Sequence, residues 1–178
     1  MLRIFLFFCM LLLWSGCFLS FTPKAEQNKS VWKNLPPIKA SNQSKDVVKL
    51  RSDCDKVATL AQSQIGTRYR YGGMSESGFD CSGFVCYVYQ NALGKKLPHS
   101  ALKQSRYVKI YDLEELDKGD LVFFDTSGRG KINHCGIYLG EGKFIHASSG
   151  KVYSVTTSDL TKGFYKKAFR WGGKVHKW

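Results

Sequence analysis

One stretch of the sequence decides the fold: residues 78–88, which read GFDCSGFVCYV. Apolar side chains recur at helical spacing from Cys81 to Leu93, and Gly94 is a natural stop, so the pattern predicts a helix whose first turn holds Cys81. Positions 81, 85 and 88 lie on one face of that helix. The Cys81 thiol therefore points toward the interior of the domain.

Further elements are predicted on either side of this helix. A first helix is expected to begin at Ser52 or Asp53 and to end by Gly66. From Gly119 onward, short apolar runs separated by turn residues predict strands at 121–124, 134–139, 143–147, 152–155 and 164–171. Helices followed by a meander of strands indicate an α+β domain with an antiparallel sheet.

Cys81 is a candidate nucleophile. A thiol attacks acyl carbon as the thiolate, and a helix N-terminus or a neighbouring imidazolium lowers its pKa from about 8.5. His134 and His146 begin and end adjacent predicted strands around residues 140–142, so they are the candidate partners. The alternatives are a cysteine that only packs in the core and a zinc site built from these three residues. Neither CxxC nor HxxxH spacing is present to support zinc.

The turn between these strands decides whether the two histidines meet. A two-residue turn would put His134 and His146 on opposite faces of the sheet. A three-residue loop at 140–142, with Gly142 left-handed as a bulge, puts them on one face as diagonal neighbours. If the two histidines act together in catalysis, the loop between the strands is therefore expected to contain an odd number of residues.

The N-terminus predicts export. Residues 1–16 begin with a short positive segment and continue with an apolar run at 4–14, which is shorter than the about 20 residues of a membrane-spanning helix. Residues 13–17, LWSGC, resemble the bacterial lipobox, which implies that Cys17 carries a lipid. An ordinary cleaved signal with an incidental cysteine is the alternative. The residue after this cysteine is Phe18 and not Asp, and in this the segment resembles lipoproteins held at the outer membrane.

The rest of the chain divides into a linker and one domain. Residues 17–50 are rich in Lys, Ser, Asn, Gln and Pro, which predicts a lipidated N-terminus and a flexible linker before a domain at 51–178. The 178 residues carry a formal charge of +13, to which the segment 1–16 contributes only Arg3. This charge favours an anionic partner such as a wall polymer, acidic lipid or nucleic acid, and export argues against nucleic acid.

Five motifs carry a family resemblance. In chain order they are YRYGG at 69–73, GFDCSGF at 78–84, KGDL at 118–121, HCGIYLG at 134–140 and FIHAS at 144–148. Their order and spacing over residues 53–171 resemble the NlpC-type peptidoglycan endopeptidases. The resemblance implies a papain-like α+β fold, with the nucleophile at a helix N-terminus packed on an antiparallel sheet. It also implies a thiol protease of the cell envelope that acts on peptidoglycan, without a metal or an organic cofactor, while tethered to the membrane by lipid.

The same resemblance assigns catalytic roles to three residues. It makes Cys81 the nucleophile, His134 the base and His146 the polar residue that orients the base. In this family an acyl-enzyme forms on the cysteine and water releases it. The bonds that are cut involve D-amino acids and diaminopimelate, either within one stem peptide or between two. A catalytically idle peptidoglycan-binding lipoprotein and a papain-like amidase or acyltransferase are the alternatives.

Four further residues are assigned by position. Tyr69 is expected to line the site, where its hydroxyl and the backbone N–H of the nucleophile stabilise the oxyanion. Asp80 and Ser82 flank the nucleophile and are expected to contact the stem peptide. Cys135 stands where the family commonly has an apolar residue such as valine. It is expected to pack on the face opposite His134, without a catalytic role.

The remaining cysteines and histidines are expected to be structural. Export places the domain in an oxidising compartment, so Cys54, Cys86 and Cys135 allow one disulfide at most, and three thiols is the simpler expectation. His99 and His176 are expected at the surface.

Overall fold

The structure is a computed structural model that describes residues 40–176. The predictions on the signal segment, on Cys17 and on the linker up to residue 39 lie outside the described residues. The helices are α1 (Ala40–Ser63), α2 (Cys81–Leu93), α3 (Ala101–Gln104) and α4 (Gly163–Ala168), with a 3-10 turn at Leu113–Glu115. The strands are β1 (Met74–Ser75), β2 (Gly78–Phe79), β3 (Val108–Tyr111), β4 (Leu121–Phe124), β5 (His134–Gly140), β6 (Lys143–Ala147), β7 (Val155–Asp159) and β8 (Phe169–Val175). Across this part of the chain, no helical segment has both the length and the apolar character that a bilayer crossing demands.

Six strands form one antiparallel sheet in the order β3-β8-β4-β5-β6-β7. β1 and β2 form a separate hairpin. Strands β4 to β7 pair in the order of the chain, so the predicted meander is confirmed there. β8 returns to lie between β3 and β4. The arrangement confirms the predicted α+β class with an antiparallel sheet.

α2 has the limits that the sequence predicts, Cys81 and Leu93. The Asp80 carboxylate accepts a hydrogen bond from the Gly83 amide at 2.7 Å, which caps the first turn. Gly94 ends the helix in the left-handed conformation, at φ 69°. The helix therefore presents Cys81 at a fixed and capped N-terminus.

α1 begins at Ala40, earlier than the predicted start at Ser52 or Asp53. Residues 38–65 contain neither Pro nor Gly, so no residue stops the helix from extending toward the N-terminus once its packed end has formed. Residues 45–52 are exposed. The apolar pattern marks only the packed part of the helix, and the last part of the predicted linker is helical.

Two of the predicted strands are wrong in their limits. The strand expected at 152–155 is displaced to β7, because the backbone at Tyr153 turns into the left-handed region with φ 49°. The segment expected as a strand at 164–171 begins as helix α4 and continues as β8. Tyr165 and Ala168, three positions apart in α4, pack on the same face of the sheet. A short apolar run does not distinguish these two outcomes.

The sheet packs on both faces. Side chains at odd positions of β4, β5 and β6 face α1 and α2: Leu121, Phe123, Cys135, Ile137, Ile145 and Ala147. Side chains at even positions pack with α4: Val122, Phe124, Tyr138 and Phe144. Successive residues of β5 therefore serve different faces.

Candidate active site

Cys81 lies in the wall of an open cleft. It is the first residue of α2 and is half-buried. The other lining residues come from three loops, the first turn of α2 and the start of α3: Tyr69, Tyr71, Gly72, Asp80, Ser82, His99, Ser100, Ala101, Leu102, Ile132 and Asn133. A peptide in the cleft would pass directly beside the thiol.

The Cys81 thiol has a pKa well below its usual range. A hydrogen bond with the Cys135 thiol contributes most to this shift. Burial acts in the opposite direction, but a hydrogen bond with His134 and the charge of that ring lower the pKa further, and the Asp80 charge opposes them only weakly. The surroundings therefore favour the thiolate, which is the nucleophilic form.

The two histidines lie side by side on the face toward α4. His134 Nε2 and His146 Nδ1 are 2.8 Å apart, and His146 Nε2 lies 3.0 Å from the Ser158 hydroxyl oxygen. Burial, followed by the charge of His134, lowers the pKa of His146 to about 2, so the ring stays neutral. For Nδ1 of His134 to act as a base, His134 must carry its own proton on Nε2 and donate it to His146 Nδ1, which requires the proton of His146 to be on Nε2, toward Ser158. The other nitrogen of His134, Nδ1, is then the one available to Cys81.

The register of the β5–β6 hairpin brings the histidines together, but the predicted loop is wrong. Gly140 pairs with Lys143 across a two-residue turn in which both residues have positive φ, as a type I′ turn requires. The odd residue is Leu139, because the register shifts between Tyr138 and Gly140. This bulge, and not one at Gly142, supplies the extra residue that brings both histidines to one face of the sheet. The predicted placement of both histidines on one face is confirmed.

Gly136 makes room for the histidine pair. A Cβ atom at this position would lie 2.8 Å from the Ile145 carbonyl oxygen, 2.8 Å from the Phe144 ring and 3.2 Å from His146 Cβ. Contacts below 3 Å force neighbours to move, and the carbonyl belongs to a paired strand. The absence of a side chain at Gly136 therefore lets β5 and β6 approach closely enough for the rings to meet.

Tyr69 lies beside Cys81. Its backbone amide donates to the Tyr153 carbonyl at 2.8 Å, and the two tyrosine rings pack with centroids 5.2 Å apart. Burial, followed by the charges of Cys81 and Asp80, raises the pKa of Tyr69 to about 12. The hydroxyl therefore keeps its proton and is a hydrogen-bond donor at the pH of any cell envelope.

Asp80 and Ser82 form one polar cluster in the cleft wall. Asp80 Oδ1 accepts from the Gly83 amide at 2.7 Å and from the Ser82 hydroxyl at 3.0 Å. Asp80 Oδ2 accepts from the Gly72 amide at 3.0 Å and lies 2.8 Å from His99 Nε2. The carboxylate thus ties the loop before α2 to its first turn. The expected contact of both residues with a stem peptide stays a prediction.

Comparison with known proteins places this geometry in a family. A model described as the NlpC/P60 family matches residues 66–174. The chain belongs to the NlpC/P60 family. The predicted resemblance is confirmed, and the match contains every described residue to which the motifs assign a role.

Individual NlpC/P60 proteins are similar over part of their length. The chain is 37% identical over 113 residues to the probable endopeptidase NlpC homolog of Haemophilus influenzae, covering 64% of this chain and 58% of that protein. It is 35% identical over 158 residues to the murein DD-endopeptidase MepH of Escherichia coli, covering 84% and 58%. Each match spans less than two thirds of the relative. The solved NlpC/p60 domain of the peptidoglycan hydrolase SagA superposes with a TM-score of 0.60 and 30% identity, covering 68% of this chain and 97% of that one.

Three residues of this NlpC/P60 site lie outside the five motifs and were missed by the sequence reasoning. Ser158 holds the second ring nitrogen of His146. The Tyr165 ring on α4 lies over the histidine pair, with its centroid 5.0 Å from that of His146 and 6.1 Å from that of His134. Gln104 is fully buried behind α2. None carries a local signal, because a serine, a tyrosine or a glutamine is ordinary in any element.

Cys135 lies on the face opposite His134 and is fully buried, as expected. Sequence reasoning missed the consequence of that placement: the Cys135 thiol donates to the Gln104 side-chain carbonyl at 3.3 Å and helps to lower the pKa of Cys81. In the described chain the cysteines are free thiols: Cys54, Cys81, Cys86 and Cys135. His99 and His176 are exposed, as expected, although His99 also pairs with Asp80. Among residues 40–176, no cluster of three or more His, Cys, Asp or Glu is arranged to hold a metal ion.

Proposed function

We propose that the protein is a cysteine endopeptidase that hydrolyses peptides of peptidoglycan. One observation carries the proposal: a half-buried thiol with a lowered pKa sits at a capped helix N-terminus, beside a histidine that a neutral buried histidine holds in place. This is the arrangement of nucleophile, base and orienting residue that covalent acyl transfer needs.

The proton path follows from the tautomers. His134 donates its Nε2–H to His146, so Nδ1 takes the proton from Cys81. The thiolate attacks a peptide carbonyl and forms an acyl-enzyme, and His134 returns the proton to the departing amine. Water, activated by the same nitrogen, then releases the acyl group. His146, with its pKa of about 2, stays neutral throughout and fixes the ring of His134.

Two donors are suited to the oxyanion that forms during attack. The backbone N–H of Cys81 is in the first turn of α2, where amides have no partner within the helix. The Tyr69 hydroxyl stays protonated at neutral pH. Donors of this kind are worth about 2.7–4 kcal/mol each in related acyl-transfer chemistry.

Peptidoglycan is the proposed substrate because the relatives named above are a murein DD-endopeptidase and a peptidoglycan hydrolase. We propose that the scissile bond joins a D-amino acid and diaminopimelate, either γ-D-glutamyl to diaminopimelate within a stem or D-alanyl to diaminopimelate between stems. The export signal and lipobox-like sequence support attachment through Cys17 at the periplasmic face of the outer membrane. The basic charge of +13 suits a polymer rich in carboxylates.

Digestion of purified wall with the full-length protein tests the proposal. The wild type is expected to release stem-peptide fragments whose masses identify the bond, and Cys81→Ala is expected to release none. Cys86→Ala is the matched control, since it removes a buried thiol from the same helix and should retain activity. Equal digestion by Cys81→Ala and wild type would refute the proposal. Binding of wall without cleavage by either protein would indicate an idle binding protein. Release of whole stem peptides from the glycan would indicate an amidase, and transferred acyl products would indicate an acyltransferase.

A further inference from the structure

Tyr153 has a backbone conformation that tyrosine rarely adopts. It lies in the loop that joins β6 to β7, and its φ is 49°, in the left-handed region. In the part of the chain that the structure describes, the one other residue besides glycine with a positive φ is Glu141, at 53°. Glycine enters this region freely, whereas a bulky side chain there costs free energy. The tyrosine at this position therefore needs an explanation in what its side chain does.

We propose that Tyr153 is a positioning residue for Tyr69, whose hydroxyl it holds toward the oxyanion that forms during attack by Cys81. This role rests on the proposed function, since it needs Tyr69 to be an oxyanion donor in a peptidase. It adds to the site a residue that lies outside all five sequence motifs.

The backbone of Tyr153 fixes the backbone of Tyr69. The Tyr69 amide donates to the Tyr153 carbonyl at 2.8 Å, and the same two segments are joined again where the Val155 amide donates to the Thr67 carbonyl at 2.8 Å. The Tyr153 amide donates to the Gly150 carbonyl at 3.0 Å, so the left-handed residue closes the turn that precedes these bonds. All of these contacts use backbone atoms alone. Glycine at position 153 could make them equally well.

The side chain of Tyr153 makes a contact that glycine could not. Its ring packs against the ring of Tyr69, with centroids 5.2 Å apart and planes tilted by 57°. A tilted aromatic pair at this distance is attractive. Tyr153 is 56% exposed, so burial of its own ring contributes little to offset the backbone strain. The contact with Tyr69 is therefore what the tyrosine supplies at this position.

Tyr69 needs such support more than the other proposed donor does. The N–H of Cys81 belongs to α2 and is fixed by a capped helix, whereas Tyr69 lies in the connection between α1 and β1. Groups carried on loops are placed less precisely than groups on helices and strands. An oxyanion donor is effective only when its direction is set before the reaction. Tyr153 gives the Tyr69 ring the fixed direction that the helix gives the amide.

Tyr153→Gly tests this inference, because it removes the ring and releases the strained backbone. We expect the full-length variant to melt at or above the wild-type temperature, since relief of strain offsets the lost ring contact. Hydrolysis of wall peptides should nevertheless fall, with kcat about tenfold lower and KM near its wild-type value, because a misdirected donor costs less than a missing one. A residue that serves stability alone would lower the melting temperature and leave kcat unchanged.

Further variants assign the effect to Tyr69. Tyr153→Phe keeps the ring and should retain the wild-type kcat. Tyr69→Phe removes the hydroxyl and should lower kcat roughly 100-fold. Adding Tyr153→Gly to Tyr69→Phe should then change kcat by less than about twofold, because two substitutions that act through one group are not additive. A crystal structure of Tyr153→Gly should show the Tyr69 ring displaced from its wild-type position.

Glu141→Gly is the matched control. It releases the other left-handed residue, which is exposed in the turn between β5 and β6 and does not line the cleft. We expect a higher melting temperature with kcat unchanged. A loss of activity in this variant equal to that of Tyr153→Gly would show that relief of strain alone lowers kcat, and would overturn the inference.

Three other results would also overturn it: a wild-type kcat in Tyr153→Gly, a full further loss when that change is added to Tyr69→Phe, or an unmoved Tyr69 ring in the crystal structure. If Tyr153→Gly fails to fold by circular dichroism, Tyr153→Asn replaces it with the same expectations, because asparagine also tolerates the left-handed region. Equal hydrolysis by Cys81→Ala and wild type would refute the proposed function by itself. The position of the Tyr69 ring is read from the structure and does not depend on that result.

Discussion

The two faces of the sheet hold their polar groups in different ways. On the face toward α2, thiols and one amide share long contacts, with both Cys135 and Cys86 at 3.3 Å from the Gln104 side chain. On the face toward α4, His134, His146 and Ser158 form a chain of 2.8 and 3.0 Å. Sulfur is large and a weak hydrogen-bonding atom, whereas imidazole nitrogen binds at short range and with direction. One face therefore provides a polarisable setting for a thiolate, and the other a rigid proton acceptor.

β5 is where these two settings meet. Its first two residues, His134 and Cys135, point to opposite faces, and both lower the pKa of the same thiol. A site assembled from both faces of one sheet depends on the backbone of that strand more than on any loop. Changes that disturb one face only should separate the two contributions.

The largest effect is expected from Gly136→Ala, which disturbs the backbone that serves both faces. The added Cβ would lie 2.8 Å from the Ile145 carbonyl, so β5 and β6 must separate. We expect a loss of about 1–3 kcal/mol in unfolding free energy. Wall-peptide hydrolysis should fall roughly 100-fold, since displacement of a catalytic group by about 1 Å has that effect. Thermal unfolding and steady-state rates, taken well below the melting temperature, measure the two effects.

Gly150→Ala is the control for this change, because a Cβ there meets only the Ser148 hydroxyl, at 3.3 Å. Hydrolysis by Gly136→Ala at the wild-type rate would show that the histidine pair does not depend on the close approach of the strands.

A smaller effect is expected from Ser158→Ala, which changes the face toward α4 alone. Loss of one hydrogen bond of about 1 kcal/mol should lower kcat roughly fivefold and leave KM near its wild-type value. Without Ser158, His146 can carry its proton on Nδ1 and donate it to His134 Nε2. The proton of a neutral His134 is then on Nδ1, the nitrogen that must accept from Cys81. Nitrogen NMR of the imidazoles reports that tautomer directly.

Thr157→Ala, at the exposed neighbouring position of β7, is the matched control and should retain the wild-type rate. An unchanged tautomer together with an unchanged kcat in Ser158→Ala would remove Ser158 from the mechanism.

The smallest effect is expected from Cys135→Val, which changes the face toward α2 alone. The hydrogen bond with Cys135 is the largest cause that lowers the pKa of Cys81, so its loss raises that pKa. A raised thiol pKa means less thiolate on the acidic side, and the acidic limb of kcat/KM should move to higher pH. Hydrolysis rates over a pH series measure the shift. In Cys86→Ala the limb should stay in place, and an unmoved limb in Cys135→Val would show that His134 alone sets the ionisation of Cys81.

The parts of the molecule that could be predicted from sequence have local signals. α2 has a regular apolar spacing, a capping carboxylate at Asp80 and a stop at Gly94, so both of its limits were predicted. The histidines stand at fixed distances from a turn rich in glycine, so their meeting could be predicted even though the bulge at Leu139 could not. A bulge in the strand and a third residue in the loop each add one residue between the histidines. The spacing in the sequence shows only whether that number is odd or even.

The parts that could not be predicted depend on packing between distant elements. Tyr165 lies in a short helix because its ring fits over the histidine pair, whereas its sequence suits a strand equally well. Gln104 gains its importance from Pro98, Ser82 and Cys135, which meet it only in the folded chain. Propensity is a weak guide wherever tertiary contacts decide.

The bulge at Leu139 also restricts how this hairpin can change in evolution. Removal or insertion of a single residue between the histidines would exchange inward and outward side chains along one whole strand. Two such changes together would cancel. Homologous hairpins that retain the histidine pair should therefore differ in length by even steps, and a solitary one-residue difference should mark a chain in which the pair has been lost.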